Sequence, residues 1–124
     1  MRLLLVGRGW VGNKMYNELR RRGHETLLYP HFAGLELAKN EPFDWVINCS
    51  GVTGSPNVDA CELDKHNTYQ GNTLYPIKLY EASTTFSAKF AHFSSGCIYE
   101  GNIDSVEAQP NFFGSTYSIS KGLS

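Results

Sequence analysis

A short apolar run that leads directly into a glycine-rich turn is the feature that most restricts the fold of this chain. Residues 3–6 (LLLV) are apolar without interruption, as expected for a strand buried on both faces of a sheet. The turn GRGWVG follows at once, with glycines at Gly7, Gly9 and Gly12. Apolar residues then recur every fourth position, which predicts an amphipathic helix. A second strand is expected over residues 25–29, which completes a strand–helix–strand unit.

This turn is typical of dinucleotide-binding strand–helix–strand units. Gly7 permits the tight turn, Gly9 lets backbone amides approach a pyrophosphate, and Gly12 lets the helix pack close to the strand. The alternative is a plain strand-to-helix turn, but the flanking strand and helix favour the dinucleotide interpretation. The zone at the end of the second strand reads YPH (29–31) and offers no carboxylate to a ribose. Arg8 is a candidate contact for a 2′-phosphate, so the sequence favours NADPH, with NADH as the alternative.

Strand-like and helix-like segments continue to alternate along the chain. The expected segments are a helix over 34–40, a strand over 43–49, a helix through Glu62 and His66, a helix over 72–82, a strand over 89–94 and a helix opened by Ser115. In the helix over 72–82, Leu74, Ile77 and either Leu79 or Tyr80 are expected to face the sheet. This alternation predicts an α/β fold, a Rossmann-type doubly wound parallel sheet in one domain over residues 1–124.

Composition excludes several classes of function. A net charge of −1 provides no basic surface for nucleic acid or an anionic membrane. The apolar run at the start is too short for a signal peptide or a membrane span. Three scattered cysteines and four dispersed histidines form no disulfide framework and no expected metal site. The sequence therefore predicts a reduced, cytoplasmic protein without metal.

A second motif lies near the end of the chain. Ser95 follows the expected strand over 89–94, and Tyr117 and Lys121 are four residues apart, which places them on one face of a helix. A lysine ammonium favours the phenolate form of a nearby tyrosine and makes it a better proton donor and acceptor at neutral pH. A serine hydroxyl can hydrogen-bond a reacting carbonyl oxygen. Tyr-x-x-x-Lys also occurs by chance on helices, but in this context it indicates proton and hydride chemistry at a carbonyl.

Cys97 lies two residues after Ser95 and has two interpretations. A free cysteine is most often a small buried hydrophobic residue, and the spacing alone favours that interpretation. The alternative is an acid/base thiol beside the site of reduction. Cys49 and Cys61 are interpreted as packing residues.

Three stretches resemble the extended short-chain dehydrogenase/reductase family: GVTGSPNVDACE at 51–62, GCIYE at 96–100 and PNFFGSTYSISK at 110–121. Within that family they are most similar to the dTDP-4-dehydrorhamnose reductase branch. The similarity is closer still to its bifunctional nucleotide-rhamnose synthases, which are 3,5-epimerase/4-reductases. The resemblance covers nearly the whole chain. One difference is the glycine turn, since the family usually has GxxGxxG and this chain has the shorter GRGWVG.

The resemblance implies roles for individual residues. Ser95, Tyr117 and Lys121 match the reductase triad, and Cys97 matches the cysteine that performs epimerisation in related epimerase/reductases. The resemblance therefore changes the preferred interpretation of Cys97 from packing to catalysis. Together with the glycine turn, it assigns these residues to the cofactor: Gly7, Arg8, Gly9, Trp10, Val11, Gly12, Cys49, Ser50, Gly51, Thr53, Asn72, Tyr117 and Lys121.

The function implied by the resemblance is an NADPH-preferring epimerase/reductase of a UDP- or dTDP-4-keto-6-deoxy sugar in rhamnose-type biosynthesis. This chain is expected to be its amino-terminal cofactor part, truncated before the substrate domain. The family's second acid/base for epimerisation is expected in that absent domain. A homodimer is compatible with the resemblance. Two alternatives remain, a 4-ketoreductase without epimerase activity and a dinucleotide-binding module with no turnover of its own.

Overall fold

The computed structural model describes residues 1–124, which form two compact units. The first unit comprises Met1–Gly51 and Tyr75–Phe93, and the second comprises Val52–Leu74 and Ser94–Ser124. Each unit therefore takes its chain from two separate stretches of sequence.

The first unit is built on a four-stranded parallel sheet with the strand order β2-β1-β3-β4. Its strands are β1 (Arg2–Val6), β2 (Glu25–Tyr29), β3 (Trp45–Asn48) and β4 (Lys89–His92). The first two strands flank each other, and the chain then crosses to the other side of β1 to form β3 and β4. This order confirms the predicted Rossmann-type, doubly wound fold. β3 and β4 are shorter than predicted, since their pairing ends at Asn48 and His92.

The apolar run LLLV lies at the centre of the sheet and is buried on both faces, as predicted. All four of its residues are at most 2% exposed. Alternation along the strand sends Leu4 and Val6 to one face. There they join a core cluster with Ala38, Phe43, Val46, Leu79 and Ala82. Fully burying a leucine contributes roughly 1.5–3 kcal/mol, so this run stabilises the sheet strongly.

The helices α1 (Trp10–Arg21) and α2 (His31–Asn40) follow β1 and β2. α1 is followed by Gly23 at a φ of +84°, as glycine at the end of a helix permits. α2 begins three residues earlier than the predicted segment 34–40. The reason is Pro30, which is extended at the N-cap position and whose carbonyl accepts the N–H of Gly34 at 2.8 Å.

The second unit contains mostly short helical segments. They are a 3-10 helix (Val58–Glu62), α3 (Lys65–Tyr69), a π-helical turn (Gln70–Leu74), a 3-10 turn (Gly96–Ile98) and α5 (Thr116–Gly122). The predicted single helix through Glu62 and His66 is instead two helices. Asp64 separates them, because its side chain caps α3 by accepting the Asn67 N–H at 3.1 Å. Ser115 opens α5 as predicted and accepts the Ser118 N–H.

The buried face of α4 (Tyr75–Thr84), in the first unit, differs from the prediction. Leu74, Ile77 and Tyr80 are 42%, 40% and 54% exposed, so they do not face the core. Of the two predicted alternatives, Leu79 and Tyr80, it is Leu79 that is fully buried. The π-helical turn directly before α4 explains the difference, since its wider turn shifts the side-chain pattern relative to a continuous α-helix. None of the helices in the structure has the length and apolarity that a membrane span requires.

Candidate functional site

The glycine turn between β1 and α1 leaves no room for side chains at two of its glycines. A Cβ at Gly7 would lie 2.7 Å from backbone atoms of Cys49 and Ser50, and φ at Gly7 is +114°. A Cβ at Gly12 would overlap the carbonyl oxygen of Gly7. The turn thus brings the ends of β1 and β3 and the start of α1 close together, which only glycine allows at these positions.

Gly9 differs from these two glycines because open space surrounds it. A Cβ there would meet nothing within 4 Å, and its φ of −78° suits any residue. As the N-cap of α1, Gly9 provides no side-chain acceptor, and the first turn contains no acidic residue. Asn13 donates to the carbonyl oxygens of Arg8 and Gly9, at 2.7 and 2.9 Å, and so holds the turn in shape. These features fit a pyrophosphate, which the amides at a helix start bind well.

A cavity of about 260 Å³ lies beside this turn in the first unit. It is lined by Arg8, Asn13, Tyr16, Asn17 and Leu28. A second guanidinium is adjacent, since Arg20 donates to the Tyr16 hydroxyl at 2.6 Å. The lining therefore combines positive charge with amide and hydroxyl groups, a combination that suits a phosphate group.

The end of β3 is held by a fully buried asparagine. Asn48 Oδ1 accepts the backbone N–H and the hydroxyl of Ser50, at 3.0 and 2.6 Å. Cys49 lies between Asn48 and Ser50 in the sequence. Burial raises the pKa of its thiol to about 11, and its sulfur lies 4.0 Å from the sulfur of Met15. Cys49 is therefore a neutral thiol in a packed position. The predicted contacts of Cys49, Ser50 and the exposed Gly51 with a cofactor stay predictions.

In the second unit, α5 carries Tyr117 and Lys121 at helical spacing. Both residues are buried, at 7% and 4% exposure. Burial lowers the pKa of the Lys121 ammonium below its ordinary value. Ser94 donates to the Lys121 carbonyl at 3.4 Å, which joins the loop that carries Ser95 to the end of α5.

Ser95 and Cys97 belong to a single tight turn. The Ser95 oxygen accepts the N–H of Cys97 at 3.2 Å, which leaves the hydroxyl hydrogen for donation. Cys97 is exposed and is not a buried packing residue, whereas Cys61 is buried as expected. Together with Tyr117, Cys97 lines a cavity of about 480 Å³. The structure thus brings Ser95, Cys97 and Tyr117 to one region of the second unit.

The other residues around this cavity are not among the predicted site residues. They are Val58, Asp59, Tyr99, Glu100, Phe112, Gly114, Ser115 and Ser118. All of them lie in the three stretches that carry the family resemblance, so that resemblance contained a signal for them. Although two of them are acidic, the structure contains no group of three or more His, Cys, Asp or Glu residues that could hold a metal ion.

Asn72, a predicted cofactor residue, is fully buried and contacts the protein itself. Its Oδ1 accepts the Val52 N–H at 2.7 Å, and its Nδ2 donates to the Val52 carbonyl and the Ser120 hydroxyl, at 2.8 and 3.1 Å. Asn72 therefore joins the loop that carries the exposed Thr53 to α5. These contacts indicate a positioning role, and direct contact of Asn72 or Thr53 with a cofactor stays a prediction.

The parallel sheet and the glycine turn define a Rossmann-type dinucleotide-binding protein. Comparison with protein families is more specific, since residues 3–123 match the NAD dependent epimerase/dehydratase family. The chain belongs to that family. This membership confirms the predicted family resemblance and the predicted nicotinamide cofactor, while the preference for NADPH over NADH stays a prediction.

Three relatives place the chain more closely. It is 34% identical, over 99% of its length, to the trifunctional UDP-glucose 4,6-dehydratase/UDP-4-keto-6-deoxy-D-glucose 3,5-epimerase/UDP-4-keto-L-rhamnose-reductase of Arabidopsis thaliana. It is similar to the crystal structure of a UDP-rhamnose synthase from Acanthamoeba polyphaga mimivirus, with 25% identity and a TM-score of 0.79 over 98% of the chain. A dTDP-4-dehydrorhamnose reductase of Bacillus anthracis, solved with NADP, shares the fold, with 17% identity and a TM-score of 0.83 over 98% of the chain.

The chain is much shorter than these relatives. It spans 21% of the plant enzyme and 49% and 46% of the two solved chains.

Proposed function

We propose that this chain forms the cofactor-binding and reducing part of an epimerase/reductase that acts on a UDP- or dTDP-linked 4-keto-6-deoxy sugar. The observation that carries the proposal is the cavity that Cys97 and Tyr117 line together in the second unit. A thiol suited to proton exchange at carbon and a phenol suited to protonating an oxygen face the same space. The similarity to a UDP-rhamnose synthase and to the plant rhamnose-forming enzyme supports the substrate class.

Three residues of the chain have separate roles in the proposed reduction. Bound nicotinamide supplies a hydride for the keto carbon. The Ser95 hydroxyl, oriented by the Cys97 N–H, donates a hydrogen bond to the carbonyl oxygen, and Tyr117 donates the proton that this oxygen needs. The Lys121 ammonium favours proton release from Tyr117 and binds the ribose of the cofactor.

Epimerisation is the task proposed for Cys97. Its exposed thiol is one of the two acid/base groups that invert the carbons flanking the 4-keto group, where the carbonyl makes the C–H bonds acidic. The second group, on the opposite face of each carbon, is expected in the substrate part of the enzyme. The cavity that it shares with Tyr117 lets one bound sugar reach both side chains. The same binding mode then serves both reactions.

Turnover tests the proposal. A full-length version of the protein is expected to consume NADPH when it is given a UDP- or dTDP-4-keto-6-deoxy sugar, and to consume none without the sugar. If neither the UDP-linked nor the dTDP-linked sugar causes NADPH consumption, the proposed function is refuted.

Arg8 is expected to set the preference for NADPH. Its guanidinium lines the small polar cavity beside the glycine turn, where a 2′-phosphate would add a charge-assisted hydrogen bond. Arg8→Gln should raise the Kd for NADPH about 10-fold, the loss of one such bond, and leave the Kd for NADH nearly unchanged. Titration of both cofactors by calorimetry measures this. Arg21→Gln, at the far end of α1, is the control, and equal weakening of both cofactors by Arg8→Gln would contradict the assignment.

Cys97 is expected to separate epimerisation from reduction. In deuterated water, the protein should introduce deuterium at carbons 3 and 5 of the sugar, and Cys97→Ser should abolish this incorporation. Reduction of a substrate that is already epimerised should continue in the variant, because Tyr117 and Ser95 remain. Mass spectrometry of the products measures both activities. Undiminished deuterium incorporation in Cys97→Ser would show that Cys97 has no role in proton exchange and would contradict the role proposed for it.

A further inference from the structure

We propose that Glu62 is a positioning residue that holds the start of α5, and with it Tyr117, on the 3-10 helix Val58–Glu62. The inference rests on the proposed function, since Tyr117 is the group that Glu62 would position. Glu62 ends the resembling stretch GVTGSPNVDACE but has no direct role in the proposed reduction or epimerisation.

The carboxylate of Glu62 contacts Thr116 through both of its oxygens. Oε1 accepts the Thr116 N–H at 2.5 Å, and Oε2 accepts the Thr116 hydroxyl at 2.7 Å. Hydrogen bonds to an ionised group are about twice as strong as neutral ones. These two hydrogen bonds lower the pKa of Glu62 below its ordinary value, and the bond from the Thr116 backbone has the larger effect. Glu62 is therefore ionised at neutral pH. Lys65 adds a weaker ion pair at 3.6 Å.

This contact determines where α5 begins relative to the cavity. Thr116 is the first residue of α5, is 5% exposed, and directly precedes Tyr117. The 3-10 helix that ends at Glu62 also supplies Val58 and Asp59 to the cavity lining. The Glu62–Thr116 contact therefore joins two sides of the cavity that are 54 residues apart in sequence.

The other end of α5 is held by different residues. Ser120 accepts a hydrogen bond from Asn72 through its hydroxyl and another from Thr73 through its carbonyl. Loss of the Glu62 contact should therefore displace the end with Tyr117 and leave the end with Lys121 in place. A displacement of Tyr117 by about 1 Å can lower the rate about 100-fold, so kcat should fall. Cofactor affinity should change little, because Lys121, which is proposed to bind the ribose, stays in place.

Substitution of Glu62 by glutamine tests the inference. Glu62→Gln should lower kcat about 10- to 100-fold and change the KM for NADPH less than about 2-fold. Glu18→Gln is a matched control, since the Glu18 side chain is also 43% exposed and ion-paired but lies on α1. It should leave kcat unchanged. A normal kcat in Glu62→Gln, or a loss that appears only in the KM for NADPH, would overturn the positioning role.

Thr116 provides a second pair of variants in case Glu62→Gln does not fold. Thr116→Ser keeps both hydrogen bonds and should retain the activity, whereas Thr116→Val loses the hydroxyl bond and should lower kcat. Equal kcat values for these two variants would contradict the inference.

A measurement without turnover separates this inference from the proposed function. In protein with carbon-13-labelled tyrosine, the Tyr117 ring signal should move in Glu62→Gln and stay in place in Glu18→Gln. An unmoved Tyr117 signal overturns the inference even in an active enzyme. A moved signal supports it even if the unmutated protein reduces no 4-keto sugar, a result that would refute only the proposed function.

Discussion

Replacing Tyr117 with phenylalanine is expected to lower kcat about 100- to 10,000-fold, the range typical of a lost general acid. The substitution removes one hydroxyl and keeps the ring, so the buried packing of α5 should persist. The Kd for NADPH should change less than about 2-fold, because Lys121 and the glycine turn, which are proposed to hold most of the cofactor, remain unaltered. Single-turnover kinetics and calorimetry measure the two quantities separately.

Tyr80→Phe is the matched control for this substitution. Tyr80 is 54% exposed on α4 in the first unit, and its ring packs against Phe90 edge to face. Loss of its hydroxyl should leave both kcat and the Kd unchanged. A Tyr117→Phe variant that turns over as fast as the unmutated protein would remove Tyr117 from the proposed mechanism.

Replacing Gly7 with alanine is expected to produce the largest loss of stability. A side chain at a φ of +114° carries backbone strain of about 1–3 kcal/mol. Its Cβ would also lie 2.7 Å from the backbone of Cys49 and Ser50, and such overpacking costs about 1–3 kcal/mol. Thermal unfolding should show a Tm lower by on the order of 10 °C. NADPH binding should be lost as well, because the turn cannot keep its shape.

Gly9→Ala is expected to weaken NADPH binding while leaving the stability of the fold nearly unchanged. Its Cβ would meet nothing within 4 Å, so the Tm should fall only slightly, with a cost below about 1 kcal/mol at an N-cap position. The methyl group would nevertheless stand over the turn where the pyrophosphate is proposed to bind, and the Kd for NADPH should rise about 10-fold or more. An unchanged Kd in Gly9→Ala would contradict a pyrophosphate at this turn.

Local patterns were sufficient to predict the first part of the fold. β2 has the predicted bounds, and the run LLLV is buried on both faces as its lack of alternation indicated. The glycine turn and the serine that opens α5 depend on interactions between near neighbours in sequence. Such interactions leave a signal in residue type and spacing.

The differences arise where the geometry or the start of a helix departs from a regular, uninterrupted α-helix. The π-helical turn before α4 shifts its buried face, and no residue in QGNTL indicates a π turn rather than an α turn. Pro30 and Asp64 begin helices at positions that the hydrophobic pattern alone did not locate. Periodicity assumes a constant number of residues per turn, so it fails at such points.

The residues proposed for the chemistry came from the sequence, whereas the contacts that hold them came only from the structure. Ser95, Cys97 and Tyr117 follow from residue type, spacing and family resemblance. The bonds of Glu62 to Thr116 and of Asn72 to Val52 connect segments that are 54 and 20 residues apart. A single sequence does not indicate such pairs, because no local pattern depends on them.

Transfer of deuterium from labelled NADPH to the sugar tests the proposed function most directly. The protein is given NADPH with deuterium at the transferable position and a UDP- or dTDP-4-keto-6-deoxy sugar, and the product is analysed by mass spectrometry and NMR. Deuterium is expected at carbon 4 of the sugar, and Tyr117→Phe should show almost none. Tight binding of NADPH with no deuterium in either sugar would contradict the proposed function and would identify the chain as a dinucleotide-binding module without turnover.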